Sequence, residues 1–164
     1  MKYNVQIQIR NYGSIDLELD GAVAPITVEN FVNLVRNGFY DGLTFHRIID
    51  GFMIQGGDPL GTGTGGSENK IKGEFQANGI SNPISHVRGT ISMARSNDMD
   101  SARSQFFIVH KDSLFLDKQY AGFGMVTKGI EVVDAICQNT KVSGSNGAVS
   151  TENQPVIEKI IISN

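Results

Sequence analysis

Residues 45–58 read Phe-His-Arg-Ile-Ile-Asp-Gly-Phe-Met-Ile-Gln-Gly-Gly-Asp, and the rest of the chain is organised around them. The stretch places the permanently charged Arg47 two residues after an aromatic side chain. Phe52, Met53 and Gln55 follow, and glycines bound the segment. Peptide and small-molecule sites combine apolar walls with a small number of placed donors. The stretch therefore predicts one side of a ligand groove.

Length and composition indicate one soluble globular domain, which we predict to span residues 1–164. A chain of 164 residues can bury a substantial core. Hydrophobic content of 40% and charged content of 19% are ordinary for such a protein. The net charge of −3, without a long run of either sign, gives no nucleic-acid footprint. No apolar segment approaches the ~20 residues that span a bilayer.

The cysteine count and the N-terminus favour a cytoplasmic location. Cys137 is the one cysteine, so no intramolecular disulfide can form, which suits a reducing compartment. Residues 1–9 alternate polar and apolar side chains, unlike the apolar centre of a signal peptide. Export with a separate leader that is later removed stays open as an alternative. Nothing in the sequence demands more than a monomer.

The first twenty residues have the period-two pattern of a β-hairpin. Val5, Ile7 and Ile9 share one face of the first run. After a turn that contains Gly13, alternation resumes from residue 15 to residue 20. The chain is therefore predicted to begin with two paired strands.

Two helices are predicted. The first follows Pro25, with Thr27 as its N-cap, Glu29 in its first turn and Gly38 at its end. Apolar residues at positions 28, 31, 32 and 35 give it one stripe. The second runs from about residue 129 to residue 139, with Cys137 on its apolar side.

Short apolar runs separated by glycine or polar clusters predict the remaining strands. These runs are Thr44–Ile48, Met53–Gln55, Gly89–Met93, Gln105–Val109, Gly122–Val126 and Val156–Ile162. Such a pattern favours a sandwich or a barrel and does not choose between them. The polar segment 140–155 is predicted to be a surface loop before the last strand.

The glycine-rich segment 61–66, Gly-Thr-Gly-Thr-Gly-Gly, formally matches G-x-G-x-x-G. A dinucleotide site requires a helix that opens directly after this motif. The next seven residues have no apolar stripe, and no Walker-type motif occurs. We therefore expect a mobile loop whose backbone borders the groove.

Other chemistry has little support in the sequence. His46, His86 and His110 are far apart without ligand spacing, so no metal site is predicted. A hydrolase that uses His46 and a serine lacks a Gly-x-Ser-x-Gly elbow and an obvious Ser-His-Asp set. The scattered carboxylates are Glu29, Asp41, Asp50, Asp58 and Glu74. They show no paired acid-base spacing, and nearly all of them are interpreted as surface or turn residues.

Three blocks in order resemble the cyclophilins, the peptidyl-prolyl cis-trans isomerases, over essentially the whole chain. The first comprises Phe45-His46-Arg47, Gly51-Phe52-Met53 and Gln55-Gly56-Gly57-Asp58. The second comprises Arg88-Gly89-Thr90-Ile91-Ser92-Met93-Ala94 and Ser104-Gln105-Phe106-Phe107-Ile108. The third comprises Phe115-Leu116-Asp117 and Gly122-Phe123-Gly124. The resemblance implies a mainly β fold, an eight-stranded antiparallel closed barrel capped by two α-helices.

The resemblance also implies the residues of the site. Arg47 is expected to be the catalytic donor to the prolyl nitrogen in the twisted transition state, and His46 to support the site. Substrate-binding positions are expected at Phe52, Met53, Gln55, Ala94, Arg95, Gln105, Phe107, Phe115, Leu116 and Tyr120. Of the two adjacent phenylalanines, alternation allows only one to face the groove, and the resemblance points to Phe107. No metal and no cofactor are expected, and the partners are proline-containing peptides and folding proteins.

Three positions depart from the familiar eukaryotic pattern of the family. Phe115 replaces the tryptophan that helps to hold cyclosporin, so weak cyclosporin binding is expected. Arg95 replaces a common asparagine, and Tyr120 stands where a histidine often lies. The first of these two should be tolerated if position 95 works through its backbone. Both lean towards a bacterial-type member.

Two rival functions remain at this point. A proline-peptide binding or chaperone module would hold X-Pro segments without turnover. Such a module would not need an arginine at position 47, so the presence of Arg47 favours the enzyme. The hydrolase that uses His46 and a serine is the remoter rival.

Overall fold

The computed structural model describes residues 1–163 and contains one curled sheet of eight strands. Every neighbouring pair runs antiparallel in the order β3-β4-β6-β5-β7-β2-β1-β8. The strands are β1 Lys2–Ile9, β2 Gly13–Asp20, β3 Phe45–Ile49, β4 Met53–Gly56, β5 Thr90–Met93, β6 Phe106–Val109, β7 Gly122–Lys128 and β8 Ile157–Ile162. Each lies within two residues of the predicted bounds.

The two edge strands, β3 and β8, meet at one end, so the sheet curls into a barrel. Thr44 and Val156 form an isolated bridge. Beside it, Phe45 N donates to Pro155 O at 3.0 Å and Ile157 N donates to Leu43 O at 2.7 Å. The predicted eight-stranded antiparallel barrel with two helices is confirmed, and a short bridge closes it where a full ladder is absent.

Two helices, α1 (Pro25–Arg36) and α2 (Ile130–Asn139), cover the sheet with their apolar stripes. Phe31 of α1 lies at the centre of the core, with its ring 5.1 Å from that of Tyr40 and 5.6 Å from that of Phe106. Aromatic rings at these separations gain more than their buried area alone. Phe45 and Phe106 are fully buried in the same cluster, as expected.

The N-terminus of α1 differs from the prediction. Helix α1 begins at Pro25, with Ala24 as a cap residue that makes no side-chain bond, so Thr27 is not the N-cap. Glu29 consequently lies beyond the first turn. The carboxylate of the distant Glu74 serves this helix end, because its Oε1 accepts from Thr27 N and Thr27 Oγ1, both at 2.7 Å, and its Oε2 accepts from Ile26 N.

The predicted loop 140–155 is exposed over much of its length but also pairs with the edge of β3. Ile48 N donates to Gly147 O at 2.8 Å, and Val149 N donates to His46 O at 3.0 Å. A 3₁₀ turn at Thr151–Asn153 precedes β8. No helix in residues 1–163 is long and apolar enough to span a membrane.

The contacts of Glu74 with the start of α1 predict that this residue stabilises the folded protein. Replacing Glu74 with Ala leaves the buried N–H and hydroxyl of Thr27 and the part-buried N–H of Ile26 without their acceptor. We expect the free energy of unfolding to fall by about 2–4 kcal/mol, since each orphaned buried group costs about 1–3 kcal/mol and the losses overlap. Urea denaturation of the purified protein measures this change.

Glu29→Ala on the exposed face of the same helix is the matched control. An exposed substitution should stay within about 0.5 kcal/mol of the wild type. Equal losses in both variants would show that Glu74 does not stabilise α1 specifically.

Candidate active site

The register of three strands places the predicted site residues on one face. Arg47 of β3 pairs with Gln55 of β4, and Gln55 pairs with Phe107 of β6. Directly opposed residues on antiparallel strands point to the same side of a sheet. Phe107 accordingly packs with Met53 and Leu116 in a small cluster outside the main core.

A pocket of about 130 Å³ opens between this face and the neighbouring loops. Its lining consists of Arg47, Phe52, Met53, Gln55, Ala94, Arg95, Phe107, Leu116 and Tyr120. Gln105 lines the adjoining cavity, and Phe115, which is 70% exposed, places its ring 5.6 Å from that of Phe52 at the rim. The structure therefore brings all the predicted substrate-binding positions together around Arg47.

Neutral acceptors hold the Arg47 guanidinium in place. Its Nε donates to Asn146 O at 2.7 Å, and its Nη1 donates to Gln55 Oε1 at 3.2 Å. A guanidinium has five N–H donors. The other three have no protein acceptor among residues 1–163, and no carboxylate there pairs with Arg47. No sequence pattern predicts the Asn146 contact, which joins residues 99 apart.

A line of side-chain amides continues from Arg47 to the glycine-rich loop. Gln55 Nε2 donates to Gln105 Oε1 at 2.9 Å. Gln105 Nε2 in turn donates to Gly63 O and Gly65 O at 3.1 and 2.8 Å. Because each amide uses its oxygen and its nitrogen on different partners, the line fixes which way both amides point.

Asp58 organises the glycine-rich loop from inside, so its assignment as a surface or turn carboxylate was wrong. Its side chain is buried and accepts hydrogen bonds from the backbone N–H groups of Leu60, Thr62, Gly63 and Gly65. Burial alone would raise the pKa of Asp58, but the four N–H donors together outweigh burial and lower it. The expected border of the groove is thus an ordered loop wrapped around one carboxylate.

His46 lies under this loop and is 6% exposed. Neither ring nitrogen has a partner in the described part of the chain. Burial lowers the pKa of His46, although the charge of Asp58 opposes the shift, so the ring is neutral at neutral pH. The buried ring lies beside Gly63 of the loop and has no serine hydroxyl as a partner among the described residues, so it has no nucleophile to activate.

A Ser-His-Asp set does exist, contrary to the sequence analysis. His86 Nε2 lies 2.8 Å from Ser92 Oγ, and His86 Nδ1 lies 2.9 Å from Asp117 Oδ1. The geometry resembles a hydrolase triad, but Ser92 and His86 are 0% exposed. The imidazole stacks on the Phe107 ring at 6.0 Å and 23°. Because no substrate can reach Ser92 there, the set supports the pocket wall from behind.

Arg95 and Tyr120, two departures from the familiar pattern, contact each other. The Arg95 guanidinium lies 4.7 Å from the Tyr120 ring and 4.9 Å from the Phe75 ring. It also donates to Gln119 O at 2.7 Å. The side chain of Arg95 is thus held in place by two aromatic rings and a backbone carbonyl. The neighbouring Ala94 N donates to Gln105 O, so of this residue only the carbonyl is open to an extended peptide.

A second cavity of about 330 Å³ adjoins the pocket across the Gln55 and Gln105 amides. Lys70, Arg95 and Arg103 line it. None of the three forms an ion pair with a carboxylate in residues 1–163. In a chain of net charge −3, this is a local concentration of positive charge beside the site.

Comparisons with known proteins agree with this fold and site. Residues 4–164 match the family model described as Cyclophilin type peptidyl-prolyl cis-trans isomerase/CLD. The peptidyl-prolyl cis-trans isomerase B of Bacillus subtilis is 50% identical over 117 residues, which cover 71% of this chain and 78% of the relative. The peptidyl-prolyl cis-trans isomerase of Acinetobacter baylyi is 41% identical over 163 residues, or 93% of this chain and 82% of the relative.

Solved structures give the same result. A crystal structure of a Cryptosporidium parvum cyclophilin-type peptidyl-prolyl cis-trans isomerase superposes with a TM-score of 0.88 at 29% identity, covering 100% of this chain and 99% of the other. A structure of that protein in the presence of the dipeptide Ala-Pro gives a TM-score of 0.86 at 30% identity over 98% and 99% of the two chains.

The antiparallel barrel with two helices and the comparisons agree on one family. The chain belongs to the cyclophilin-type peptidyl-prolyl cis-trans isomerases. The predictions of the family, the fold and the enzyme class are confirmed.

The Asp58 contacts predict a loss of stability in acid. A folded pKa below the unfolded value of about 3.9 gives stabilisation that is fully present above that value. This stabilisation is lost as the pH falls through the lower, folded pKa. The difference in unfolding free energy between wild type and Asp58→Asn should therefore be largest at pH 6–7 and shrink below about pH 4.

Urea denaturation at a series of pH values measures that difference, and Asp41→Asn, at an exposed site, is the control. A difference that stays constant from pH 7 to pH 3 would show that Asp58 ionisation does not hold the loop.

Proposed function

We propose that this isomerase accelerates rotation about X-Pro bonds by a hydrogen bond from Arg47 to the prolyl nitrogen in the twisted transition state, without a covalent intermediate. The position and hydrogen bonding of the Arg47 guanidinium are the observation that supports this proposal. It is anchored by two neutral acceptors at the rim of an apolar pocket, with three donors left over.

The reaction needs such a donor and little else. The X-Pro bond prefers trans by only ~0.5–1 kcal/mol, but rotation must break amide resonance, which costs ~18–20 kcal/mol. When the bond twists, the prolyl nitrogen loses conjugation and regains a lone pair. A donor that meets this lone pair stabilises the twisted state more than the planar one, which is the requirement for catalysis. A guanidinium suits this role because it stays protonated.

In this proposal, the apolar residues that line the pocket bind the proline ring. Met53, Phe107 and Leu116 are buried and form the base of the pocket, while the partly buried Phe52 and the exposed Phe115 form its outer wall. Gln55 orients Arg47 in this proposal, because its oxygen accepts from the guanidinium and its nitrogen is fixed by Gln105. Substrate backbone would then meet the Ala94 carbonyl at the edge of β5.

The rival is a module that binds X-Pro segments without turnover. Such a module needs the apolar pocket but has no use for a fixed cation with free donors. The ordered line of amides behind Arg47 therefore favours the enzyme. The hydrolase rival is weakened further, because the Ser-His-Asp set of this chain is closed to substrate.

Replacing Arg47 tests the mechanism. The cis-to-trans rate of a short Ala-Ala-Pro-Phe-type peptide should fall by about 10²–10³-fold in kcat/KM in Arg47→Ala, the usual loss for one preorganised donor. Arg47→Lys keeps the charge without the fork of donors, so it should recover only part of the rate.

Arg36→Ala removes an arginine of α1 far from the pocket and should leave the rate unchanged. Near-normal activity in a folded Arg47→Ala variant would refute the role of Arg47. If wild type bound the peptide without accelerating its isomerisation, the binding module would be the correct interpretation.

The second cavity predicts a charge preference in the substrate. With Lys70, Arg95 and Arg103 around it, peptides with Glu beside the proline segment should react with a kcat/KM roughly two- to fivefold above Lys peptides at low salt, the range of exposed ion pairs. The preference should fade in 1 M salt, where the screening length is about 3 Å. Competing isomerisation assays of matched peptides measure it.

Lys70→Glu should reduce this preference, while Lys159→Glu makes the same change of net charge on β8, away from the cavity, and should not. Equal rates for acidic and basic peptides at low salt would show that the cavity does not contact the substrate.

The broader biological expectations stay predictions. We propose assistance to slow steps of protein folding, a cytoplasmic location, one domain over residues 1–164 and a monomeric state, all from the sequence. Weak cyclosporin binding is also expected, since Phe115 supplies an exposed apolar ring but no ring N–H donor.

A further inference from the structure

Three side chains with metal-ligand chemistry meet at a place that the isomerase site does not use. Asp50 lies in the turn between β3 and β4, His110 directly follows β6, and Cys137 lies on α2. One possible ligand atom from each lies within 4.8 Å of the other two. Carboxylate, imidazole and thiolate are the donor types that Zn²⁺ takes in proteins. None of the three residues lines the proline pocket or the basic cavity.

The surroundings of His110 settle its tautomer. Gly51 N donates to His110 Nδ1 at 2.8 Å, so this nitrogen carries a lone pair. The other nitrogen, Nε2, lies 2.9 Å from Asp134 Oδ1 and carries the hydrogen. Asp134 is held in turn by Arg88, with both contacts at 2.7 Å. An imidazole that gives its N–H to a carboxylate is the usual arrangement behind a metal-bound histidine, and here the lone pair of Nδ1 is occupied by the Gly51 N–H.

Asp50 lies beside Nδ1 of His110. Its Oδ1 lies 3.4 Å from His110 Nδ1, although both atoms are acceptors and no proton lies between them. An anion opposite a lone pair is unfavourable unless a cation joins them, and the exposed Asp50 has water available instead. A separation of 3.4 Å is also about that of two ligand atoms each ~2.0–2.2 Å from one tetrahedral ion.

We propose that Asp50, His110 Nδ1 and Cys137 bind one thiophilic divalent cation of the Zn²⁺ type, with water in the fourth position. On binding, the S–H bond of Cys137 breaks and its proton passes to solvent. The thiolate and the Asp50 carboxylate then balance the two positive charges. Asp134 needs no further partner, because Arg88 already neutralises it.

Two adjustments are required, and the structure allows both. The Gly51 N–H must give up Nδ1 to the metal. It lies in an exposed turn where Gly51 has φ +84°, a conformation that glycine adopts without strain. The three ligand atoms lie within 4.8 Å of one another and must come closer, since two ligand atoms on one tetrahedral ion are only about 3.5 Å apart. Burial, with the charges of Asp50 and Asp134, raises the pKa of the thiol to about 12, so the metal must compete with a proton and binding should strengthen with pH.

Cobalt(II) titration of the chelator-treated full chain tests the site, since a thiolate ligand gives a sulfur-to-cobalt charge-transfer absorption. We expect this absorption to saturate at one equivalent and to disappear when Zn²⁺ is added. Cys137→Ser should abolish the absorption. Asp50→Asn, at an exposed position that does not endanger folding, should weaken binding about tenfold or more.

Asp134→Asn is expected to weaken affinity by ~10–100-fold while the thiolate absorption persists at saturating cobalt, because Asp134 orients the histidine and does not bind the metal. Asp41→Asn is the control at an exposed carboxylate outside the cluster. Unchanged isomerase rates confirm that each variant is folded.

Absence of the thiolate absorption in the wild type would overturn the proposal. So would an affinity that Asp50→Asn and Cys137→Ser both leave unchanged, which would indicate adventitious surface binding. These readouts do not depend on the role of Arg47 in isomerisation.

Discussion

The proposed mechanism depends on keeping a positive charge un-neutralised at the rim of an apolar pocket. A carboxylate partner would fix Arg47 more strongly, but it would occupy two donors and cancel the field that a prolyl lone pair must meet. The Asn146 carbonyl and the Gln55 amide oxygen orient the guanidinium as dipoles and leave its charge intact. The buried carboxylate of Asp58 accepts from backbone N–H groups of the glycine-rich loop and does not pair with Arg47.

The hydrogen bonds that hold the glycine-rich loop and those that orient Arg47 therefore form one connected network. Gln55 orients the Arg47 guanidinium by a hydrogen bond, and Gln105 orients the Gln55 amide in the same way. Gln105 is held in turn by two carbonyls of the loop that is wrapped around Asp58. An enzyme without a covalent step has only positioning and electrostatics to offer. A disturbance at the loop should therefore reach catalysis through the amides, without any contact to the substrate.

Local patterns in the sequence predicted the local parts of the fold. Alternation in residues 2–20 and the stripe on α1 gave strands and a helix with small errors at their ends. The family blocks predicted which residues gather at the pocket. Sequence reasoning failed where a single side chain acts over a long distance along the chain, as Glu74 does on Thr27, 47 residues away. Periodicity holds no signal for such a contact, and an isolated carboxylate looks the same whether it caps a helix or meets water.

The same limit explains the clusters that were missed. Ser92, His86 and Asp117 come from separate segments, as do Asp50, His110 and Cys137, so neither set has a readable spacing. Motif reasoning recognises sites whose residues are close in sequence or belong to a known family. A triad that supports a pocket wall, or a cation site at a turn, satisfies neither condition.

Arg95 shows why departures from a family pattern should be interpreted jointly. Taken alone, the change from asparagine looked tolerable because the backbone at that position was expected to matter. In the structure the guanidinium is held between the rings of Phe75 and Tyr120 and tied to Gln119 O. It lines both the proline pocket and the basic cavity, so the wall between them carries a fixed positive charge. The fit of the proline and the charge preference beside it are therefore coupled through Arg95 and Tyr120, and a change at either residue should alter both.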